Sequence, residues 1–154
     1  MVIKKTSLYV DTSVIGGYYD KEFEHDTRLL FQNIKDGKYV AFISSLTLEE
    51  LETAPEKVRK LLNDLEYQPI KTTSECQDLA NEYLREKVVG ATSKDDCIHI
   101  ATATINKIDV LVSWNFKHIV NIQRIRGYNS INIKNGYTPI EIRSPKEVLI
   151  YELG

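Results

Sequence analysis

A chain of 154 residues, 42% of them hydrophobic and 27% charged, has the length of one ordinary domain and a globular composition. Collagen-like, wholly disordered and disulfide-stapled architectures are thereby excluded. The formal net charge of −2 argues against broad nonspecific binding to nucleic acid. No run of about 18 apolar residues occurs, so no membrane span is expected. Lys4, Lys5 and Asp11 interrupt the N-terminus before a signal-peptide core forms. The expectation is a cytoplasmic protein without a membrane partner, residues 1–154 forming one domain.

In chain order, Ser7 to Asp11 is a short apolar strand that stops at a carboxylate. Leu29, Leu30, Phe31 and Ile34 predict a helix over 24–36, closed by Gly37. Tyr39 to Ile43 is β-branched and aromatic, the pattern of a buried strand. A helix is expected from Thr47 through Leu51. A second starts near Pro55 and carries Val58, Leu61, Leu62 and Leu65. Tyr67 to Ile70 is a further strand candidate. Helices follow over 74–88 and 93–106, then a strand over 108–112. A helical turn and a helix are expected within 116–134, and a last strand over 138–142. Strands separated by helices predict an α/β fold with a parallel sheet covered on both faces. Cys76 and Cys97 lack partners at zinc-site spacing and are expected to be buried small hydrophobes.

Charge is unevenly spread. Residues 1–109 hold 14 Lys and Arg against 19 Asp and Glu, whereas residues 110–146 hold six against Glu141 alone. Such a chain can serve a cation in one region and a polyanion in another, a solvated basic face being the plainer reading.

Open parallel sheets bind ligands beyond the carboxyl ends of their strands. Asp11 closes the first strand, and Asn115 follows the strand ending at Val112. Glu49 and Glu50 lie just beyond the strand ending at Ile43, and Asp95 and Asp96 open the helix over 93–106. Carboxylates gathered at one edge repel one another, and a cation relieves that repulsion. Oxygen ligands suit Mg²⁺ or Mn²⁺. Each residue also has a helix-capping role available. Thr47 to Glu50 and Ser93 to Asp96 fit capping boxes, and Asp11 and Asn115 fit N-caps. Capping and metal ligation are compatible.

These residues carry a resemblance. Tyr9-Val-Asp11-Thr-Ser13, Ile43-Ser-Ser-Leu-Thr-Leu-Glu-Glu50-Leu51, Asp96-Cys-Ile-His-Ile-Ala-Thr-Ala103 and Leu111-Val-Ser113-Trp-Asn115-Phe116 occur in that order. Together they resemble the PIN domain, the metal-dependent nuclease domain of many prokaryotic toxin–antitoxin toxins. The motif register selects Glu50 over Glu49 and Asp96 over Asp95. The resemblance implies a three-layer α/β/α fold with a central, mostly parallel sheet. It implies a Mg²⁺ or Mn²⁺ site formed by Asp11, Glu50 and Asp96, with Ser13, Ser113 and Asn115 nearby, and hydrolysis of RNA phosphodiester bonds. Asp11 and Asp96 are expected as direct ligands. Glu50 ligates directly, acts through a bound water or orients the attacking water. An RNA substrate, an antitoxin protein and a homodimer are the partners implied.

Asn115 stands where the family usually has Asp. It removes a negative charge, so weaker binding of a cation is expected, particularly of a second one. A catalytically weak or inactive module that binds RNA or protein is the alternative reading. A phosphatase with a nucleophilic aspartate would want a second carboxylate where Ser13 stands, and no glycine-rich nucleotide loop exists. His99, one turn after Asp96, is a candidate to support the site or contact phosphate, the plainer role being a satisfied core histidine. Lys117 and His118 lie at the mouth of the expected site, and Arg124 and Arg126 beyond it offer phosphate contacts or a solvated face. His25 is expected on the surface. Trp114 and Phe116 either stack on a base or anchor their loop. Tyr18, Tyr19, Phe23 and Phe31 are candidates for a dimer or antitoxin surface, with Phe31 the best suited to the core.

Overall fold

Leu8, Tyr9 and Val10 have no exposed surface, because the strand they form is the centre of a sheet covered on both sides. The computed structural model describes residues 4–88 and 93–153. Strand β1 (Thr6–Val10) pairs in parallel with β2 (Tyr39–Ser44) on one side and β4 (Val110–Val112) on the other. β3 (Gln68–Ile70) and β5 (Glu141–Arg143) form the two edges, giving a five-stranded parallel sheet in the order β3-β2-β1-β4-β5. Tyr9 sits opposite both Phe42 and Leu111. The chain first builds outward from β1 through β2 and β3, then crosses back to add β4 and β5. The order therefore reverses between β1 and β4, and the crevice beyond their carboxyl ends is where such sheets bind ligands.

The two-residue period of β1 divides the core. Tyr9 faces one layer with Leu79, Tyr83, Cys97, Ile100 and Tyr128. These come from α6 (Ser74–Arg85), α7 (Lys94–Ile105) and α8 (Ile122–Lys134). Leu8 and Val10 face the other layer with Leu30, Ile34, Trp114 and Val148, supplied mainly by α1 (Thr12–Gly17), α2 (Glu24–Lys35) and α9 (Pro145–Leu153). The expected three-layer α/β/α architecture is present. Cys76 and Cys97 are buried free thiols. No helix among the described residues is long and apolar enough to cross a membrane.

Several boundaries differ from the sequence reading. The helix expected over 74–88 ends at Arg85 because Lys87 takes a left-handed φ of 58°. Val88 N then bonds Tyr83 O and Lys87 N bonds Leu84 O, the paired bonds of a Schellman cap. Lys107, with φ 53°, closes α7 in the same way, and Ile108 N bonds Ala103 O. Ile108 is thus spent on the helix cap, and the strand expected over 108–112 shrinks to Val110–Val112. Lysine stands at both positions where glycine is the usual signal. The last strand lies at Glu141–Arg143 rather than 138–142. The stretch after Pro55 forms two single turns, α4 (Glu56–Arg59) and α5 (Leu61–Asp64).

Helix α3 (Ser45–Leu51) starts before Thr47, because Ser44 is its cap and accepts from Thr47 N at 3.2 Å. The capping box expected at Thr47 is therefore not formed. At Ser93 the side chain makes no cap bond. The sequence reading implies a helix after Asp11 without giving its bounds, and it does not include α9. Asp11 caps α1 as expected of that residue, accepting from Val14 N, and burial of Val14 and Ile15 holds the short helix in place. Ahead of α9, Ser144 and Glu147 form a reciprocal capping box, which is the Ser-x-x-Glu signal in the sequence.

Gly17 lies where α1, α2 and the loop after β4 meet. A Cβ there would stand 2.9 Å from Thr27 Oγ1 and 2.9 Å from the Trp114 ring. Gly17→Ala is expected to destabilise the protein by about 1–3 kcal/mol through overpacking, read as a lowered Tm. Gly16→Ala, with nothing within 4 Å of its Cβ, is the control and should not carry that penalty.

Candidate active site

The carboxyl ends of β1 and β4 deliver Asp11 and Ser113 side by side. Asp11 is only 3% exposed. Ser13 Oγ donates to Asp11 Oδ1 at 2.6 Å, and Val14 N donates to the same oxygen at 3.2 Å. With the Ser13 proton aimed at Asp11, the Ser113 hydroxyl donates to Ser13 Oγ across 3.3 Å. Trp114 N also donates to Ser13 Oγ, and Asn115 N donates to Ser113 Oγ. The two loops are thus stitched together through two serine hydroxyls. Burial pushes the Asp11 carboxyl above its usual range, against the opposing pull of the His99 charge and the Ser13 and Ser113 hydroxyls.

Glu50 reaches the site from the end of α3. Its Oε1 accepts from Thr12 Oγ1 at 2.6 Å and meets His99 Nε2 at 2.7 Å. His99 comes from α7, is 3% exposed, and places Nδ1 2.6 Å from the Tyr9 hydroxyl. Tyr9 OH in turn lies 2.7 Å from Ser44 Oγ, the cap of α3. Burial works to lower the His99 pKa, yet Glu50, Asp11 and Asp96 outweigh it and raise the imidazole above its ordinary value. Partial burial works to raise Glu50, and His99 and Thr12 overcome it and hold the carboxyl below its ordinary range. Burial also pushes the Tyr9 hydroxyl up, so it acts as a neutral hydrogen-bonding group.

Asp96 opens α7 one turn before His99. His118 Nδ1 lies 3.1 Å from Asp96 Oδ2 and 3.1 Å from Ser93 Oγ. Asn115 caps the turn that presents His118: its Oδ1 accepts from His118 N at 3.0 Å, and its backbone carbonyl accepts from Ile119 N and Val120 N. The capping role read for Asn115 is formed, and its amide oxygen already serves the protein. Glu49 and Asp95 are exposed, whereas Glu50 and Asp96 are half-buried and paired with histidines.

A family model for the PIN domain matches residues 8–117. This chain belongs to the PIN domain family. No curated protein matches it in sequence. Solved structures with the same fold include VapBC2 from Rickettsia felis bound to a DNA fragment from its promoter, at 16% identity and a TM-score of 0.53, covering 90% of this chain and 98% of that one. VapC20 of Mycobacterium tuberculosis, a toxin that cleaves the sarcin–ricin loop, is similar at 13% identity and a TM-score of 0.56, covering 87% and 98%. FitAcB from Neisseria gonorrhoeae follows at 11% identity and a TM-score of 0.54, covering 90% and 97%.

Within this PIN domain the remaining expected residues are dispersed. Lys117 and Arg126 are exposed, and the Arg124 guanidinium donates to Val88 O rather than standing free. Trp114 is an anchor: it is 8% exposed, stacks on Phe23 at 4.3 Å and donates from Nε1 to Thr27 Oγ1. Phe116 is 49% exposed. Tyr18 packs on Phe31 and, with Tyr19, lies beneath the Arg28 guanidinium. His25 is exposed. Sequence reasoning passed over Tyr9, Thr12 and Ser44, which hold the site from below. Tyr9 had no signal except its strand parity, and Thr12 and Ser44 only their places beside Asp11 and at a helix start.

Among the described residues no three His, Cys, Asp or Glu side chains stand close enough together to hold a metal ion as they are. The donor chemistry nonetheless suits a hard divalent cation. Asp11 is a buried carboxylate, and Asp11 Oδ2, Glu50 Oε2 and Asp96 Oδ1 take part in none of the hydrogen bonds above. Loading a cation requires these side chains to draw together.

Two outcomes are expected of the protein in chelator. The raised Asp11 pKa means that folding is penalised above the folded-state value and relieved as pH falls through it. Asp11→Asn should therefore melt at a higher Tm than wild type at neutral pH, the gap narrowing on acidification; thermal melts across pH read this. The Glu50–His99 pair behaves in the opposite sense at its acid limb. Its contribution is fullest between the ordinary carboxyl value of 4.5 and the ordinary imidazole value of 6.5. It fades as pH falls through the lowered Glu50 value or rises through the raised His99 value. Glu50→Gln should cost about 1 kcal/mol in that window, discounted for the partial exposure of Glu50, and less in alkali.

Proposed function

We propose that this PIN domain, acting as one unit over residues 1–154, is a Mg²⁺- or Mn²⁺-dependent ribonuclease that hydrolyses RNA phosphodiester bonds. The observation that carries the reading is that Asp11 ends β1, Glu50 lies on the helix directly after β2 and bonds His99, and Asp96 stands one turn before His99, all at the edge where the strand order reverses. Asp11 and Asp96 would hold the cation, with Glu50 ligating it or its water. Once bound, the cation supplies an activated water and neutralises charge on the phosphoryl oxygens. The chain's own residues do the rest. Ser13 and Ser113 keep Asp11 oriented, His118 orients Asp96, and Lys117 and Arg126 offer cationic contacts for the RNA backbone.

A toxin role with an antitoxin partner is supported by the likeness to VapC20, described as a cleaving toxin, and to the VapBC2 and FitAcB structures. Homodimerisation and a cytoplasmic location are part of the same proposal. Asn115 and the unassembled carboxylates favour one other reading, a weak or inactive PIN module that binds RNA or protein.

Incubation of the purified protein with structured and single-stranded RNA in MnCl₂ or MgCl₂ separates the two. The nuclease reading expects cleavage that EDTA abolishes and that drops at least about 10²-fold in Asp11→Asn and Asp96→Asn, both still folded by circular dichroism. RNA retention without cleavage in either metal would favour the binding module.

A further inference from the structure

His99 has both ring nitrogens engaged in the interior, on partners from two different elements. Nδ1 meets Tyr9 OH at 2.6 Å, from β1, and Nε2 meets Glu50 Oε1 at 2.7 Å, from α3. The ring packs edge-on against Tyr9, with centroids 5.7 Å apart and planes at 73°. Tyr9 OH is itself held at Ser44 Oγ, which caps the helix that carries Glu50. The chain Ser44–Tyr9–His99–Glu50 therefore ties both ends of α3 to the central strand.

Ser44 Oγ donates to Thr47 Oγ1 at 3.3 Å. A charged ring donates at both ends, and Tyr9 then donates to Ser44. A neutral ring donates from Nε2 to Glu50 and takes the Tyr9 proton at Nδ1, leaving no proton between Tyr9 and Ser44. Either way Glu50 Oε1 receives a hydrogen bond. Thr12 Oγ1 donates to the same oxygen at 2.6 Å. One carboxylate oxygen is thus anchored twice while Oε2 has no partner in this network. Glu50 is only half-buried on a seven-residue helix, so its flexible side chain would sample several rotamers without these anchors. A carboxylate with one oxygen tied to an imidazole and the other open is the arrangement by which supporting residues orient ligands for a cation.

We propose that His99, locked by Tyr9, is a positioning residue that presents Glu50 Oε2 to the metal site; the proposal rests on the metal-site reading above. A satisfied core histidine would need only shape and any two hydrogen bonds. A positioning histidine needs the bond from the Nε2 position to Glu50.

The test compares His99→Gln, whose amide nitrogen reaches toward the Nε2 position, with His99→Asn, whose amide reaches only the Nδ1 position. MnCl₂ is titrated calorimetrically into the full chain, wild type and variants, with circular dichroism and Tm recorded for each. His99→Gln, which keeps the bond to Glu50 but gives up the Nδ1 bond to Tyr9, should lose about 3–10-fold in Mn²⁺ affinity, and His99→Asn, which gives up the bond to Glu50, about 10–100-fold. Tyr9→Phe, which frees the ring but keeps its packing, should lose about 3–10-fold, and it carries the test should His99→Asn not fold. Equal losses in the Gln and Asn variants, or wild-type affinity in a folded His99→Asn or in Tyr9→Phe, would overturn the positioning role while leaving the metal site standing. Absence of Mn²⁺ binding by wild type up to millimolar concentration would overturn the metal site, and this role with it.

Discussion

A carboxylate buried at the end of the central strand governs the organisation of this molecule. Asp11 is placed where β1 runs out and α1 begins, and it is almost wholly removed from water. Burial of an ionised group is unfavourable unless donors surround it, and the structure supplies them from several directions. Ser13 and Val14 N come from its own turn, Ser113 from the loop after β4 braces Ser13, and the His99 charge comes from α7. The parallel topology makes this possible, because it sends the carboxyl ends of β1, β2 and β4 to the same edge. The site is thus a region where stability is surrendered locally, and the two packed layers beneath offset it.

The offset is visible in how the loops are pinned. Trp114 sits between the two site residues Ser113 and Asn115 yet turns inward, stacking on Phe23 and bonding Thr27. Gly17 allows that approach, since any side chain there would meet the indole. The polar edge and the apolar layer are therefore coupled through one loop whose alternate residues face opposite ways. The basic residues of the C-terminal third do not join this edge as a block. Arg124 is engaged by the backbone at Val88, and Lys117 and Arg126 remain at the surface, so any contribution to RNA binding is peripheral to the carboxylates.

The two histidines give the three acidic positions different surroundings. His99 and Thr12 hold Glu50 from the interior, while His118, presented by the Asn115-capped turn, meets Asp96 at the surface. Asn115 does there what an aspartate would also do for the turn, accepting from His118 N, but without adding charge. The site keeps the capping function of its fourth position and gives up that position's negative charge, which eases repulsion among the other three.

Local chemistry made much of this legible in the sequence alone. The strand–helix alternation and the apolar period of α2 and α6 follow from residue types and spacing and are enough for the fold class, whereas the choice of Glu50 over Glu49 and of Asp96 over Asp95 rests on the resemblance of the motifs to the PIN family. Helix ends at Lys87 and Lys107 were hidden, because a left-handed cap on lysine has no compositional mark. The capping box at Ser144 is a Ser-x-x-Glu signal present in the sequence, whereas Ser44 takes the cap expected of Thr47 because it closes β2 directly against α3. What only the tertiary structure decided is which groups meet: Tyr9 with His99, His99 with Glu50, Asp96 with His118, Trp114 with Phe23. These pairs are separated in the sequence by 22 to 91 positions, and no local preference can choose between partners that chain-folding alone brings within hydrogen-bonding or stacking distance.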